Sequence, residues 1–365
     1  MERKLGFGCM RLPMKGSEVD YDEFNKMIDY YFEHGFNYFD TAHGYIGGKS
    51  ETAIRDCLVS RYKREDYVLT NKLTSNYFSK EEDIRPLFEK QLEACGVEYF
   101  DYYLMHAQDR TNYEQFQKCH AYEVAQELKN EGKVKHVGIS FHDTADVLDR
   151  ILNDHPEVEI VQIQFNYADF KSPSVQSEEV YKVARKHGKE LLIMEPVKGG
   201  GLVNLPEEAK KILDEVNKDN LSYASFAIRF AASFDGVYKV LSGMSNLEQM
   251  EDNVSYMEDF KEFSANEYKA VYKVAEILKN KGGIPCTGCR YCTAGCPMKI
   301  SIPDLFSCYN AKKVFNDWNS SMYYDLHTKD NGKASDCIKC GQCEGVCPQH
   351  LPITELLEDV AKTFE

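Results

Sequence analysis

The feature that most constrains the fold of this chain is an alternation of short apolar segments with amphipathic stretches, which continues to about residue 280. Such alternation is typical of βα units, which assemble into a parallel sheet. Eight apolar segments are strand candidates, at residues 5–10, 37–42, 67–72, 99–106, 134–140, 161–167, 191–196 and 238–244. Eight strands separated by helices over about 250 residues favour a closed (β/α)8 TIM barrel. An open doubly wound sheet is the alternative, but no G-x-G-x-x-G motif follows the first segment.

The end of the chain is distinguished by its cysteines. Of 13 cysteines, nine lie after residue 285, and eight of these nine form two runs with the same spacing, C-x2-C-x2-C-x3-C-P. The runs consist of Cys286, Cys289, Cys292 and Cys296, and of Cys337, Cys340, Cys343 and Cys347. Thiolates suit iron–sulfur clusters or zinc, and cysteines three residues apart let one loop bind three corners of a four-iron cubane. The doubled run therefore favours two 4Fe–4S clusters over the alternative, a pair of zinc sites.

A domain boundary is predicted where the helical periodicity stops. Residues 280–286 contain two adjacent glycines and a proline directly after an amphipathic segment, as linkers commonly do. We therefore expect a barrel domain over residues 1–280 and a ferredoxin-type domain over residues 281–365. The long segment between Cys296 and Cys337 has helical patterning, so we expect the second domain to be small and helical.

The charge balance argues against two classes of partner. The chain has 59 acidic and 44 basic residues, a formal charge of −15, and no run rich in lysine or arginine. Nucleic acids and anionic membrane surfaces are therefore not expected as partners. The first residues lack the apolar run of a signal peptide, and no apolar stretch is long enough to span a membrane. These observations predict a cytoplasmic protein.

Four polar residues follow strand candidates at the barrel end where active sites are built. They are Asp40 and Tyr45 in FDTAHGY, Lys72 in LTNK, and His106 in YYLMH. Asp40 and Lys72 offset each other's desolvation when they are buried as a pair. An ammonium favours a neighbouring phenolate, so we expect Lys72 to lower the pKa of Tyr45 and make it a usable acid at neutral pH. With His106 as a second donor to a carbonyl oxygen, the arrangement predicts carbonyl reduction by hydride transfer.

These segments, together with LFEKQLEACGVEYFDYYLMH, ELKNEGKVKHVGIS and MEPVKGGGL, resemble the aldo-keto reductase family over about residues 1–260. The cysteine-rich end resembles the subgroup of oxidoreductases that carry a C-terminal 4Fe–4S ferredoxin-type domain. The resemblance implies a (β/α)8 barrel in which Asp40 and Lys72 tune the acid. It also implies that Tyr45 donates the proton and that His106 orients the substrate carbonyl.

The resemblance to two-cluster ferredoxins implies that the fourth cysteine of each run binds the other cluster. One cluster would then be held by Cys286, Cys289, Cys292 and Cys347. The other would be held by Cys337, Cys340, Cys343 and Cys296.

The family resemblance further implies a nicotinamide nucleotide, NAD(H) or NADP(H). Its amide would contact Ser140 and Gln162, whereas Phe141 stands where the family usually has a polar asparagine. The adenine end would contact the loop after the last strand, at Gly243, Ser245, Asp252 and Asn253. The lysine and arginine that clamp a 2′-phosphate in the family are replaced, with Gly243 and Gln249 roughly in their places. We therefore expect NADH to bind at least as well as NADPH.

The predicted function is that of an oxidoreductase that reduces an aldehyde or ketone, or oxidises an alcohol, and exchanges electrons through the clusters. Nicotinamides move hydride whereas clusters move single electrons, so we expect a flavin, or a ferredoxin or flavoprotein partner, to link the two. The alternative is an electron-transfer or docking protein in which the barrel serves as a scaffold.

Overall fold

The computed structural model of the protein describes residues 3–280, 283–286, 288, 290–347 and 349–365. Of the predicted cluster ligands, Cys289 lies outside the described residues. The chain forms two compact units. The first unit contains the chain up to Phe165, Glu179–Pro196 and Ala224–Phe263, and the second contains Asn166–Glu178, Val197–Tyr223 and Ser264–Glu365. The predicted domain boundary at residue 280 stays a prediction, because the second unit contains segments from both sides of that residue.

The first unit is built on a closed barrel of eight parallel strands, which confirms the (β/α)8 prediction. The strands are β1 (Leu5–Gly8), β2 (Tyr38–Asp40), β3 (Val68–Thr74), β4 (Phe100–Gln108), β5 (Val134–Phe141), β6 (Ile160–Gln164), β7 (Glu190–Met194) and β8 (Val237–Ser242). Each strand pairs with the next, and β8 closes the barrel onto β1 through the partners Leu5 and Val240. A small antiparallel hairpin joins Met14–Lys15 to Glu18–Val19.

In the part of the chain that the structure describes, ten helices alternate with these strands or follow them, in the order expected for βα units. They are α1 (Tyr21–Glu33), α2 (Lys49–Ile54), α3 (Ile84–Cys95), α4 (Tyr113–Lys118), α5 (Ala121–Asn130), α6 (Ala145–Asp154), α7 (Ser177–Lys186), α8 (Glu207–Asp214), α9 (Tyr223–Ala232) and α10 (Leu247–Met257). Helix α1 illustrates the local signals. The Asp20 carboxylate caps its first turn by accepting a hydrogen bond from the Glu23 N–H, and Gly35 follows its end with a φ of +76°.

Buried aromatic and aliphatic side chains from several strands form a cluster that includes Tyr38, Tyr102, Leu104, Ile160, Leu192 and Leu241. Strands of a parallel barrel are buried on both faces, which explains why they read as continuous apolar runs in the sequence. This packing holds the strand ends, and the polar side chains on them, in defined positions.

The C-terminal part of the second unit is helical, as predicted. Its helices are α11 (Ala265–Asn280), α12 (Ile302–Phe315), α13 (Asn319–Thr328), α14 (Gln342–Gly345) and α15 (Ile353–Phe364). Their apolar core combines Leu305, Phe306, Leu357 and Val360 with cysteines of both runs. Among the helices that the structure describes, none is both long and apolar enough to cross a membrane.

Candidate active site and cysteine cavities

A buried ion pair lies at the carboxyl end of the barrel strands. Asp40 ends β2 and Lys72 lies in β3, where its side chain is fully buried. The Lys72 ammonium donates hydrogen bonds to Asp40 Oδ1 at 2.6 Å and to the Thr41 carbonyl at 2.8 Å. Gln162 in β6 donates to the other Asp40 oxygen at 3.2 Å. Each charge is therefore partnered, which a charge at a buried position requires.

Tyr45 is held against this ion pair by the turn that follows β2. Its hydroxyl lies 3.4 Å from Lys72 Nζ, which also lies 4.9 Å from the centre of its ring. The three residues after Tyr45 all adopt a left-handed backbone: Ile46 at φ 53°, Gly47 at 64° and Gly48 at 88°. Glycine adopts this conformation readily, whereas a β-branched isoleucine is strained in it. The turn is therefore specialised to carry the tyrosine.

The pKa of Tyr45 differs from the expectation drawn from the sequence. Burial raises this pKa above its ordinary value, and the charge of Lys72 offsets the rise only in part. The expected lowering is wrong because desolvation of the phenolate outweighs the effect of one cation. Burial also opposes the charge on Lys72, but Asp40 and Tyr45 outweigh it and raise the pKa of the ammonium. At neutral pH the site therefore combines a protonated phenol with a charged lysine.

His106 in β4 is the fourth residue of the predicted set, and the structure brings it to Tyr45. The two rings meet nearly edge to face, with centres 5.9 Å apart. Burial, reinforced by the charge of Lys72, holds the pKa of His106 well below its usual range, so the imidazole is neutral. A neutral imidazole has one donor nitrogen and one acceptor nitrogen.

Thr74 forms a hydrogen bond with His106, and sequence reasoning missed it. Its hydroxyl lies 2.6 Å from His106 Nδ1, on the neighbouring strand. A hydroxyl that donates to Nδ1 leaves the proton on Nε2. The sequence signal was available, because Thr74 lies two residues after Lys72 and side chains alternate along a strand.

The cysteines of the two runs line two cavities in the second unit. One cavity, of about 20 Å³, is lined by Cys296 of the first run together with Cys337, Cys340 and Cys343 of the second. The other, also of about 20 Å³, is lined by Cys286 and Cys292 of the first run together with Cys347 of the second. Within the described residues, the first cavity thus combines three positions of the second run with the fourth position of the first. The second cavity combines two positions of the first run with the fourth position of the second. Among the described residues, no three histidine, cysteine, aspartate or glutamate side chains converge as the ligands of one metal ion.

The two runs also share one backbone pattern. The second residue after the first cysteine has a left-handed backbone in both, at Gly288 (φ 73°) and Lys339 (φ 56°). Left-handed residues also recur at Arg290 and Gly341, and again at Lys299 and His350 after the fourth cysteines. Non-glycine residues take this conformation at a cost, so its recurrence at equivalent positions indicates two loops shaped for the same task.

Comparison with known proteins agrees with this geometry. A family model described as the aldo/keto reductase family matches residues 4–276, and one described as a 4Fe-4S dicluster domain matches residues 285–352. The chain belongs to the aldo/keto reductase family. It is an oxidoreductase of this family with an added 4Fe–4S domain.

Individual relatives of this aldo/keto reductase are distant. An uncharacterized oxidoreductase of Bacillus subtilis is 24% identical over 282 residues, which cover 69% of this chain and 86% of the relative. The 4-dihydromethyl-trisporate dehydrogenase of Mucor mucedo is 23% identical, over 69% of this chain and 84% of its own. A solved aldo-keto reductase of Bacillus halodurans, in its holo form, superposes with a TM-score of 0.60 at 24% identity, covering 74% of this chain and 91% of its own. Another, from Klebsiella pneumoniae in complex with NADPH, gives a TM-score of 0.61 at 19% identity, covering 74% and 90%.

The two residues predicted to contact a nicotinamide lie side by side in this aldo/keto reductase. Ser140 in β5 is the direct strand partner of Gln162 in β6, and both are buried. The Ser140 hydroxyl has no hydrogen-bond partner among the residues that the structure describes. A buried polar group of this kind suits a ligand that completes its hydrogen bonding. Phe141 is buried and apolar, so it offers no such contact.

Gly243 and Ser245 are predicted to approach a phosphate of the nucleotide, and Asp252 and Asn253 to contact its adenine. In this aldo/keto reductase these residues are largely engaged in contacts within the protein. The Ser245 hydroxyl donates to the Arg11 carbonyl at 2.9 Å, and its N–H donates to Gln249 Oε1 at 2.8 Å. Asn253 is buried, and its side-chain amide forms hydrogen bonds with two neighbouring side chains. It donates to the Ser242 hydroxyl at 2.8 Å and accepts from the Tyr256 hydroxyl. Gly243 and Asp252 lie in the same loop and helix, where Gly243 has only ordinary contacts around it.

Proposed function

We propose that this aldo/keto reductase interconverts a carbonyl compound and an alcohol with a nicotinamide nucleotide. The observation that carries the proposal is the position of Lys72, whose ammonium contacts both the buried Asp40 carboxylate and the Tyr45 hydroxyl. A buried cation next to a protonated phenol stabilises the phenolate that forms when the proton leaves. This is the chemistry that reduction of a carbonyl oxygen needs.

Each of the four site residues has its own role in this reaction. Tyr45 gives its phenolic proton to the carbonyl oxygen, and Lys72 stabilises the phenolate left behind. Asp40 keeps Lys72 charged, since their pairing opposes the desolvation of the ammonium. His106 donates from Nε2 to the same carbonyl oxygen and so orients it. The nicotinamide, when bound, supplies the hydride.

Ser140 and Gln162 are the residues that would hold the nicotinamide. The buried Ser140 hydroxyl lacks a partner among the described residues, so a carboxamide beside it would complete its hydrogen bonding. Gln162 is positioned by its hydrogen bond to Asp40, which links the coenzyme end of the site to the acid.

NADH is the coenzyme that suits the loop after β8. Residues 243–253 contain no lysine or arginine but include Glu248, Glu251 and Asp252. A 2′-phosphate placed there would be desolvated next to like charges.

The eight cysteines of the two runs are the proposed ligands of two 4Fe–4S clusters. The mixed thiol sets around the two cavities support the crossed pairing of the runs, with Cys289 completing the second set. Four soft thiolates for each cavity match a cubane. The dicluster match also favours a second candidate function, electron transfer with the barrel as a scaffold.

One substitution distinguishes the two functions. In anaerobically purified protein assayed with NADH and a set of aldehydes and ketones, Tyr45→Phe is expected to lower kcat at least about 100-fold, because general acid catalysis is typically worth ~10²–10⁴-fold. The affinity for NADH, measured by its fluorescence, should change less than about twofold. Tyr21→Phe, at an exposed tyrosine, is the matched control.

Retention of more than about a tenth of turnover by Tyr45→Phe would rule out the proposed acid. Wild-type protein that binds its clusters but no nicotinamide nucleotide would support the scaffold function instead.

A further inference from the structure

A large cavity of the second unit has no part in the function proposed above. It has a volume of about 410 Å³, against about 20 Å³ for each of the two cysteine cavities. Its lining comes from the segment Asn166–Glu178, from Lys198, and from residues of α11, α12 and the start of α13. This volume falls within the usual range for small-molecule sites, about 300–1,000 Å³.

One wall of the cavity is apolar and aromatic. Tyr272 and Leu278 of α11 lie on it, together with Val314 and Phe315 of α12. Phe315 is held in place, because Lys198 Nζ lies 5.3 Å from its ring centre and Gly201 leaves room for it. A methyl group added to Gly201 would come within 3.0 Å of that ring. A fixed aromatic wall suits the face of a flat ring.

A second wall presents hydroxyl groups. Ser172, Ser174 and Ser307 form a triangle with oxygen separations of 2.8–3.1 Å. Ser172 also accepts a hydrogen bond from the Val175 N–H at 3.4 Å. The Ser174 and Ser307 hydroxyls each keep a lone pair in such a triangle, and rotation of one of them releases a donor. The wall can therefore serve both donors and acceptors on the edge of a heteroaromatic ring.

The charged wall favours a neutral ligand over an anion. The Lys198 ammonium donates hydrogen bonds to both carboxylate oxygens of Asp169, at 2.8 and 3.0 Å, and to Asp317 Oδ2 at 2.7 Å. The three buried groups together carry one net negative charge, so they disfavour a phosphate beside them. The other charged residues of the lining are Lys171, Lys279 and Glu276.

Cys286 also lines the cavity, and it is a proposed ligand of one cluster. We propose that the cavity binds a flat, neutral, redox-active aromatic ring, of the kind found in flavins and quinones, against the thiolate of a cluster ligand. Such a ring accepts electrons in pairs and releases them one at a time. A nicotinamide transfers electrons only in pairs and an iron–sulfur cluster only one at a time, so the two cannot exchange electrons directly. The proposal rests on the proposed ligation by Cys286, but its test requires no carbonyl reduction.

The test is a binding titration with the full chain, purified anaerobically with its clusters. Riboflavin binding is followed by its fluorescence, and menadione binding by calorimetry. The variants Ala275→Trp on α11 and Ala311→Trp on α12 fill the cavity from two sides, and Ala265→Trp, at the exposed start of α11, is the matched control. The cluster absorbance of each variant reports that the domain has folded.

We expect one of the two probes to bind, and to bind at least tenfold more weakly to both filled variants than to wild type and to the control. Binding of riboflavin assigns a flavin and binding of menadione alone assigns a quinone, while inorganic phosphate should compete with neither. The proposal is overturned if neither probe binds, or if a filled variant with intact clusters binds as tightly as wild type. Loss of activity in Tyr45→Phe with unchanged probe binding would leave the two proposals independently supported.

Discussion

Thr74 Oγ1 lies 2.6 Å from His106 Nδ1, across two neighbouring strands of the barrel. We expect the hydroxyl to donate to Nδ1, which leaves the imidazole proton on Nε2. We therefore expect Thr74 to be a positioning residue, which acts on a substrate through His106.

Thr74→Val is expected to lower kcat/KM for carbonyl reduction about tenfold, which corresponds to about 1.4 kcal/mol. The hydroxyl that bonds to His106 Nδ1 is lost, while the shape of the side chain is kept. Thr74→Ser should retain near wild-type activity. Thr70→Val is the matched control, since it removes a buried hydroxyl of the same strand that bonds to Tyr38. Equal losses in the two valine variants would contradict a positioning role.

Lys72→Met is expected to lower the free energy of unfolding by about 3–5 kcal/mol, because it leaves the Asp40 carboxylate buried without its cation. Adding Asp40→Leu should restore much of this loss, because both charges are then gone. Lys118→Met breaks an exposed pair with Glu114 and should cost less than about 1 kcal/mol. Urea denaturation followed by circular dichroism measures all three. An additive loss in the double variant would show that the pair is not coupled.

Gln249→Arg is expected to strengthen NADPH binding at least tenfold, or about 1.4 kcal/mol, and to leave NADH binding unchanged. The new guanidinium would lie in a loop and helix start that carry no other basic residue between 243 and 253. Gln249→Ala controls for loss of the hydrogen bond to the Ser245 N–H. The measurement is calorimetric titration of both nucleotides. If wild-type protein already binds NADPH tenfold more tightly than NADH, the charge argument is wrong.

Cys292→Ala is expected to reduce iron and sulfide from about eight to about four per chain, because each cubane holds four of each. Cys119→Ala removes a buried cysteine outside the two runs and should leave both contents unchanged. The barrel should stay folded in both variants, since it has its own core. Chemical analysis of anaerobically purified protein gives the counts, and zinc in place of iron would contradict the cluster assignment.

Much of the barrel could be predicted from the sequence because the relevant signals are local. An apolar run followed by a polar residue indicates a strand and its end, so the positions of Asp40 and Lys72 followed from short motifs. The equal spacing of the two cysteine runs was likewise visible in the sequence, and so were the helical periods, such as that of α1.

Other features were decided only by the tertiary structure, because they depend on residues that the barrel or the helices bring together. Thr74 and His106 are 32 residues apart, and only the register of β3 and β4 makes them neighbours. Desolvation depends on the whole environment of a group, so the raised pKa of Tyr45 could not be obtained from the presence of Lys72 alone. Asn253 could be aligned with a binding position, but its amide is already used inside the protein, a contact that local sequence patterns do not encode.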